Sequence, residues 1–271
     1  MRIRASNPVL DRVKIILVLS LVLILLGKLA LFMESENNKR KQSTLQNMIQ
    51  KSLLPVGSTM YIWGGGWDSE DKTAGATSTQ IGLCSQWERF MKNQDESYDF
   101  NNYRFQRENG LDCSGYVGWV IYNTFETESG KDGYVTVSTD MAKNYADRGW
   151  GTYIEHPTEF LAGDIVSMDG HVWISLGTCV DGSVLLVHSS PPGVSVCGTT
   201  LEDGTESIAV WLATKYMTTY YPEWQEKYPN RSVPYTYLKN VSLMRWNSVT
   251  MLDAKKLQEL GAEDIISLFY K

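Results

Sequence analysis

The chain runs apolar almost at once. Residues 15–33 read IILVLSLVLILLGKLALFM, nineteen residues interrupted only by Lys28. Nineteen helical residues span about 28 Å, close to the hydrocarbon thickness of a bilayer. Lys28 lies near one end, where a long side chain can snorkel to the interface. The pattern predicts a cytoplasmic N-terminus and a transmembrane signal anchor over 1–33, oriented by the four basic residues that precede the stretch. A cleaved signal peptide is the competing reading, because the uninterrupted apolar run, 15–27, is only thirteen residues. No A-x-A-like site follows, and the first cysteine is Cys84, which favours the uncleaved anchor. The remainder is then extracytoplasmic. Residues 34–54 are polar and Gly-free and end on Leu53-Leu54 before Pro55, which predicts a helical or partly disordered stalk.

Beyond the stalk the apolar period changes twice. Positions 116, 117, 120, 121 and 125 follow a helical repeat, with Asp112 at the N-cap and Cys113 in the first turn. A second short helix is expected over 139–148. From 163 the period becomes two, giving strands over 164–168, 171–176, 183–188 and 194–197, joined by Asp-Gly and Pro-Gly turns. Helices followed by an antiparallel meander indicate an α+β fold. A folded core over 55–200 is followed by a C-terminal extension, 201–271. There Tyr216, Tyr220, Tyr221, Trp224 and Tyr228 are read as aromatics completing the core, ahead of a helix over 253–269.

Charge narrows the function. The 271 residues carry a net charge of −6. Residues 1–33 contribute +4, so the rest stands at −10. An acidic body does not suit phosphate contacts, and nucleic acid is excluded as a partner. The four cysteines form no C-x-x-C pair, and H-E-x-x-H is missing, so neither a metal nor another cofactor is expected.

Chemistry concentrates at one cysteine and two of the three histidines. A thiol in the first turn of a helix meets the positive end of the dipole, which favours thiolate. By itself such a cysteine reads as a small buried hydrophobe. His171 opens one strand and His188 closes the next. Pairing of Leu176 with Ser183 sets the two imidazoles directly opposite, and a slip of two keeps them diagonal neighbours. One ring is then placed to take the thiol proton while the other orients it. His156 reads as a loop residue.

At these residues the chain resembles the NlpC-type, papain-like cell-wall cysteine peptidases. The segments that carry the likeness are Asp112-Cys113-Ser114-Gly115, Gly163-Asp164-Ile165-Val166, His171-Val172-Trp173-Ile174, His188 and Tyr61-Ile62-Trp63-Gly64-Gly65. The resemblance covers roughly 55–197. It implies a helix bearing the nucleophile Cys113 packed on an antiparallel sheet, with His171 as general base and His188 orienting it. It also implies that Asp112 and Ser114 help receive the amino end of a stem peptide, with Tyr61 beside the thiol. The implied activity is hydrolysis of peptidoglycan stem peptides at the γ-D-glutamyl–diamino acid bond. The partners would be peptidoglycan or its fragments and, through residues 15–33, a bacterial cell membrane crossed once. An N-acetylmuramoyl-L-alanine amidase and a non-catalytic wall-binding module are the alternatives.

Two features depart from the family. An insertion, 68–110, separates the Tyr61 segment from Cys113 and is expected to form a surface flap beside the groove. The extension past 200 is the other. Cys179 and Cys197 do not fall at opposed positions, so all four cysteines are expected to be free.

Overall fold

A computed structural model describes residues 22, 25–28, 43–68 and 73–270. The anchor reading of 1–33 lies outside the described residues, save for the helical positions 22 and 25–28, and so does the 34–42 part of the stalk. Among the described residues no helix is long and apolar enough to cross a membrane.

The folded body begins at Ser43, earlier than the stalk reading placed it. Helix α1 (Leu45–Leu53) is capped by Thr44, whose hydroxyl accepts the Asn47 N–H. It buries Leu45, Met48, Ile49, Ser52 and Leu53, one helical stripe, against the core. The stalk expectation is therefore corrected for this segment: the residues spaced at i, i+3 and i+4 were a core face.

Strand β1 (Met60–Tyr61) is followed by helix α2 (Ser85–Lys92), strand β2 (Gly110–Leu111) and helix α3 (Cys113–Phe125). Helix α4 (Met141–Asp147) and strand β3 (Gly151–Glu155) lead to four antiparallel strands: β4 (Ile165–Met168), β5 (His171–Thr178), β6 (Val184–Ser190) and β7 (Gly193–Thr199). Then come α5 (Ile208–Tyr220), α6 (Pro222–Lys227), β8 (Ser232–Val233), β9 (Ser242–Trp246) and α7 (Ala262–Phe269). The sheet order is β2-β1-β7-β6-β5-β4-β9-β3, with β8 also on β7. The β1–β2 and β7–β8 pairs are parallel and the others antiparallel, so this is an α+β protein with a mixed sheet.

Helix α3 is buried from Cys113 to Thr124. A helix apolar on every side needs cover on every side. The sheet gives one wall through Val172, Ile174 and Val187, and α1 gives another. Trp87 of α2 meets Trp119 edge-on, ring centres 5.8 Å apart. Each such fully buried large side chain contributes roughly 1.5–3 kcal/mol. The insertion is thus more than a surface flap, because Trp87 and Phe90 belong to the core. Asp68 at its start and Phe105 and Arg107 near its end border the thiol pocket, as the flap expectation had it.

The extension is also part of the fold proper. Strand β9 sits between β4 and β3, and α5 lies on β7. Tyr216, Trp224 and Tyr228 are buried, as expected, whereas Tyr220 is exposed and Tyr221 half-buried, so these two are not part of the buried core. The helix expected over 253–269 is shorter: a single 3-10 turn (Leu257–Glu259) precedes α7. Cys84, Cys113, Cys179 and Cys197 are all free. Cys179 belongs to the main core, whereas Cys197 belongs to a second apolar cluster with Trp173, Leu186 and Leu243.

Candidate active site

Parallel pairing of Tyr61 with Leu111 carries the aromatic-glycine segment to the start of α3, across the whole insertion. Gly65 N–H donates to the Ile62 carbonyl, and the Asp112 N–H donates to the Gly65 carbonyl at 3.0 Å. This approach excludes side chains: a Cβ on Gly115 would collide with the Gly65 carbonyl, and Gly66 holds φ at +92°. The glycine run is what lets the turn lie on the helix end.

Asp112 is the N-cap, as expected. Its Oδ1 accepts the Gly115 N–H at 2.7 Å and the Ser114 hydroxyl at 2.9 Å; Oδ2 accepts the Gly64 N–H at 3.2 Å. Burial raises its pKa to about 6 against these bonds, so it is a carboxylate at neutral pH. Ser114 in turn accepts the Trp67 indole N–H at 2.9 Å.

Cys113 opens α3 and lines a pocket of about 410 Å³ with Tyr61, Trp63, Trp67, Phe105, Arg107 and Ser138. The thiol is 6% exposed. Burial pushes it up to about 12 and the Asp112 charge acts the same way; the Val172 and Ser114 amides and the Ser138 hydroxyl pull it down. The helix terminus alone led to an expectation of thiolate. Burial reverses that balance, and the resting group is a neutral thiol.

The Val172 amide at the sulfur comes from β5, one residue past His171, and Gly170 lines the same pocket. His171 Nε2 and His188 Nδ1 are 3.0 Å apart. The two histidines are diagonal rather than directly opposed: Ile174 pairs with Val187 and Ser175 with Leu186, and a bulge follows before Gly177 pairs with Leu185. The turn register, Thr178 with Val184, lies three residues from the expected Leu176–Ser183 pairing; the bulge takes back one, so the offset at the histidines is two and both imidazoles stay on one face. Burial pushes His171 down to about 4, and burial, His171 and Arg231 together hold His188 well below its ordinary value. Both rings are neutral at pH 7. His156 is exposed beside β3, with its N–H on the Val241 carbonyl.

Residues that the sequence did not single out complete the site. Trp67 braces Ser114, and Ser138 touches the sulfur. Tyr237, from the extension, packs its ring 5.6 Å from His171 and 6.1 Å from His188, centre to centre. Burial raises its phenol to about 12, with Cys197 and Cys113 adding to the rise. No local pattern marks Tyr237, because its role comes from the strand and turn that carry it back over the sheet. Among the described residues no group of three or more His, Cys, Asp or Glu is placed to hold a metal ion.

This arrangement fixes a pH dependence. Were His171 to act as a base it would do so as neutral imidazole, and its depressed pKa keeps it neutral down to about pH 4. The limb that His171 sets in the kcat/KM profile of the wild-type protein is expected below about pH 5, separate from the Asp112 titration at about 6. Tyr237→Ala, by admitting water to the pair, is expected to move the acid limb toward the solvated-imidazole value of about 6.5. A wild-type limb already there, unmoved by the substitution, would contradict the shielding role.

Comparisons with protein-family models, with curated proteins and with solved structures find no match to this chain. The site therefore stands on its own geometry: an α+β frame, a buried thiol at a helix N-terminus that meets the Val172 amide, and a hydrogen-bonded pair of neutral imidazoles whose first member precedes Val172 in the chain.

Proposed function

We propose that this protein is a cysteine peptidase of the NlpC type, with a papain-like fold, that hydrolyses peptidoglycan stem peptides at the γ-D-glutamyl–diamino acid bond. In this reading it is held at the bacterial membrane by residues 15–33, with its folded body outside. One observation carries the catalytic part: Cys113 opens into a pocket with the Val172 amide at its sulfur, and the residue before Val172 is His171, bonded to His188.

With its proton on Nε2, shared toward His188 Nδ1, His171 keeps Nδ1 as the acceptor for the thiol proton. The sulfur then adds to the amide carbonyl carbon, and first-turn N–H groups of α3 face the oxyanion. His171 returns the proton to the departing amine, leaving a thioester on Cys113. Water, deprotonated by His171, cleaves the thioester and regenerates the thiol. Arg231 behind His188 disfavours a second charge there, so His188 orients the base and does not compete with it. A neutral resting pair means that charge separates only when substrate has filled the pocket.

Mass spectrometry of stem peptides still joined to muramic acid, digested by the purified protein, tests the assignment. The expected product has a new free amino group on the diamino acid. A new amino group on L-alanine instead would identify a muramoyl amidase and overturn the assignment of the bond.

A further inference from the structure

The Cys113 pocket does not close at the residues that the resemblance gives to the amino end of the peptide. Asp112 is buried, and both its oxygens are engaged within the fold, by Gly115, Ser114 and Gly64. The Ser114 oxygen is engaged by Asp112 and by the Trp67 indole. An ammonium group arriving there would meet partners already bonded to one another.

Past them the groove goes on. Trp67 and Val137 line both the thiol pocket and a second pocket of about 740 Å³, within the usual size range of ligand sites, about 300–1,000 Å³. The second pocket presents Thr136 and Asn144, whose Nδ2 donates to the Thr136 hydroxyl at 2.9 Å and leaves the Thr136 proton and the Asn144 Oδ1 to a ligand, and balanced charges, Asp132 and Asp140 against Lys131 and Arg148. Lys131 is partnered by Glu126 at 2.7 Å, and the Arg148 guanidinium lies 5.1 Å from the Trp150 ring centre. A wall with balanced charge gives little advantage to an anion or a cation. Hydroxyl, amide and carboxylate groups together with one indole suit a neutral ligand rich in hydroxyls, which uses many hydrogen bonds and one apolar ring face.

We infer that this second pocket is a saccharide subsite, and that the preferred substrate is a stem peptide still amide-linked at its amino end to an amino sugar. The inference rests on the peptidase reading above for the peptide half of the ligand. An amide-linked end carries no charge, in keeping with Asp112 being engaged, and the sugar continues past Trp67 into the polar pocket.

The test is calorimetric binding to the full-length Cys113→Ala protein. The probes are a stem tetrapeptide carrying its disaccharide and the same tetrapeptide with a free amino end. The disaccharide form is expected to bind at least tenfold more tightly. Asn144→Trp, which fills the pocket from α4, is expected to abolish that preference while leaving affinity for the bare peptide within twofold. Arg148→Ala, at an exposed position, is expected to reduce the preference at least threefold. Equal affinities, binding of neither probe, or a preference that survives Asn144→Trp would overturn the subsite. Hydrolysis of both probes by the wild-type protein separates the two claims. A sugar preference without any hydrolysis would leave the subsite standing and remove the peptidase reading, whereas hydrolysis with equal affinities would do the reverse.

Discussion

Cys113→Ala is expected to lower kcat for stem-peptide hydrolysis by about 10⁴-fold or more, because the proposed nucleophile is gone. His171→Ala is expected to cost about as much. The double variant should be no worse than either single one, since nucleophile and base act as a unit. His188→Ala is expected to fall between these and the wild type, about 10²–10⁴-fold down in kcat with KM little changed. Its ring touches His171 Nε2 and works by holding that base. Losing the sulfur's contacts with the Val172 amide and the Ser138 hydroxyl costs about 1 kcal/mol each, so thermal unfolding of Cys113→Ala should fall by only a few degrees. Full activity in Cys113→Ala, measured on the same peptides, would refute the nucleophile assignment.

The largest effect on stability is expected away from the thiol. Asp164, from the Gly-Asp pair that opens β4, is fully buried. Arg245 of β9 meets both its carboxylate oxygens, at 3.1 and 2.7 Å, and the Leu161 N–H donates to Oδ2 at 2.9 Å. Arg245→Leu leaves that carboxylate buried without its cation, which costs about 3–5 kcal/mol. For a domain of this size each kcal/mol lowers Tm by roughly 2–4 °C. A drop of roughly 10 °C in thermal unfolding is therefore expected. Adding Asp164→Asn removes the stranded charge and should recover much of the loss. An unchanged Tm in Arg245→Leu would show that the pair contributes nothing. The Gly-Asp pair reads in sequence as part of a catalytic-domain signature. In the structure its aspartate ties the C-terminal extension to the sheet.

Local pattern carried the parts of this fold whose causes are local. The Asp112 cap and the period of α3 were legible because cap and stripe lie within a dozen residues. The same holds for β4 to β7, where short turns force neighbours to pair. Strand β3 was missed because its partner, β9, lies some ninety residues further on, and neither is bounded by a hairpin turn. The turn register, Thr178 with Val184, and the one-residue bulge between Ser175 and Gly177 had no sequence mark either; the first lies three residues from the expected pairing, and the bulge takes back one. Helix α1 was read as stalk because its polar face dominates its composition, while its apolar stripe has meaning only against α3. At the site, Cys113, His171 and His188 were legible from residue type and strand position. Tyr237, Trp67 and Ser138 were not, since they reach it by tertiary return of distant segments. The thiol's charge state was misread for a related reason: the helix end is visible in sequence, and the burial that outweighs it is not.

The central claim is that Cys113 carries the acyl group during turnover, and intact-protein mass spectrometry after rapid acid quench tests it most directly. With stem peptide present, the account predicts a mass increase equal to the acyl half of the substrate. Digestion should locate it on the peptide that contains Cys113, and it should be missing in Cys113→Ala and strongly reduced in His171→Ala. Peptide hydrolysis proceeding at full rate with Cys113 alkylated, and with no acyl adduct at that residue, would contradict the account.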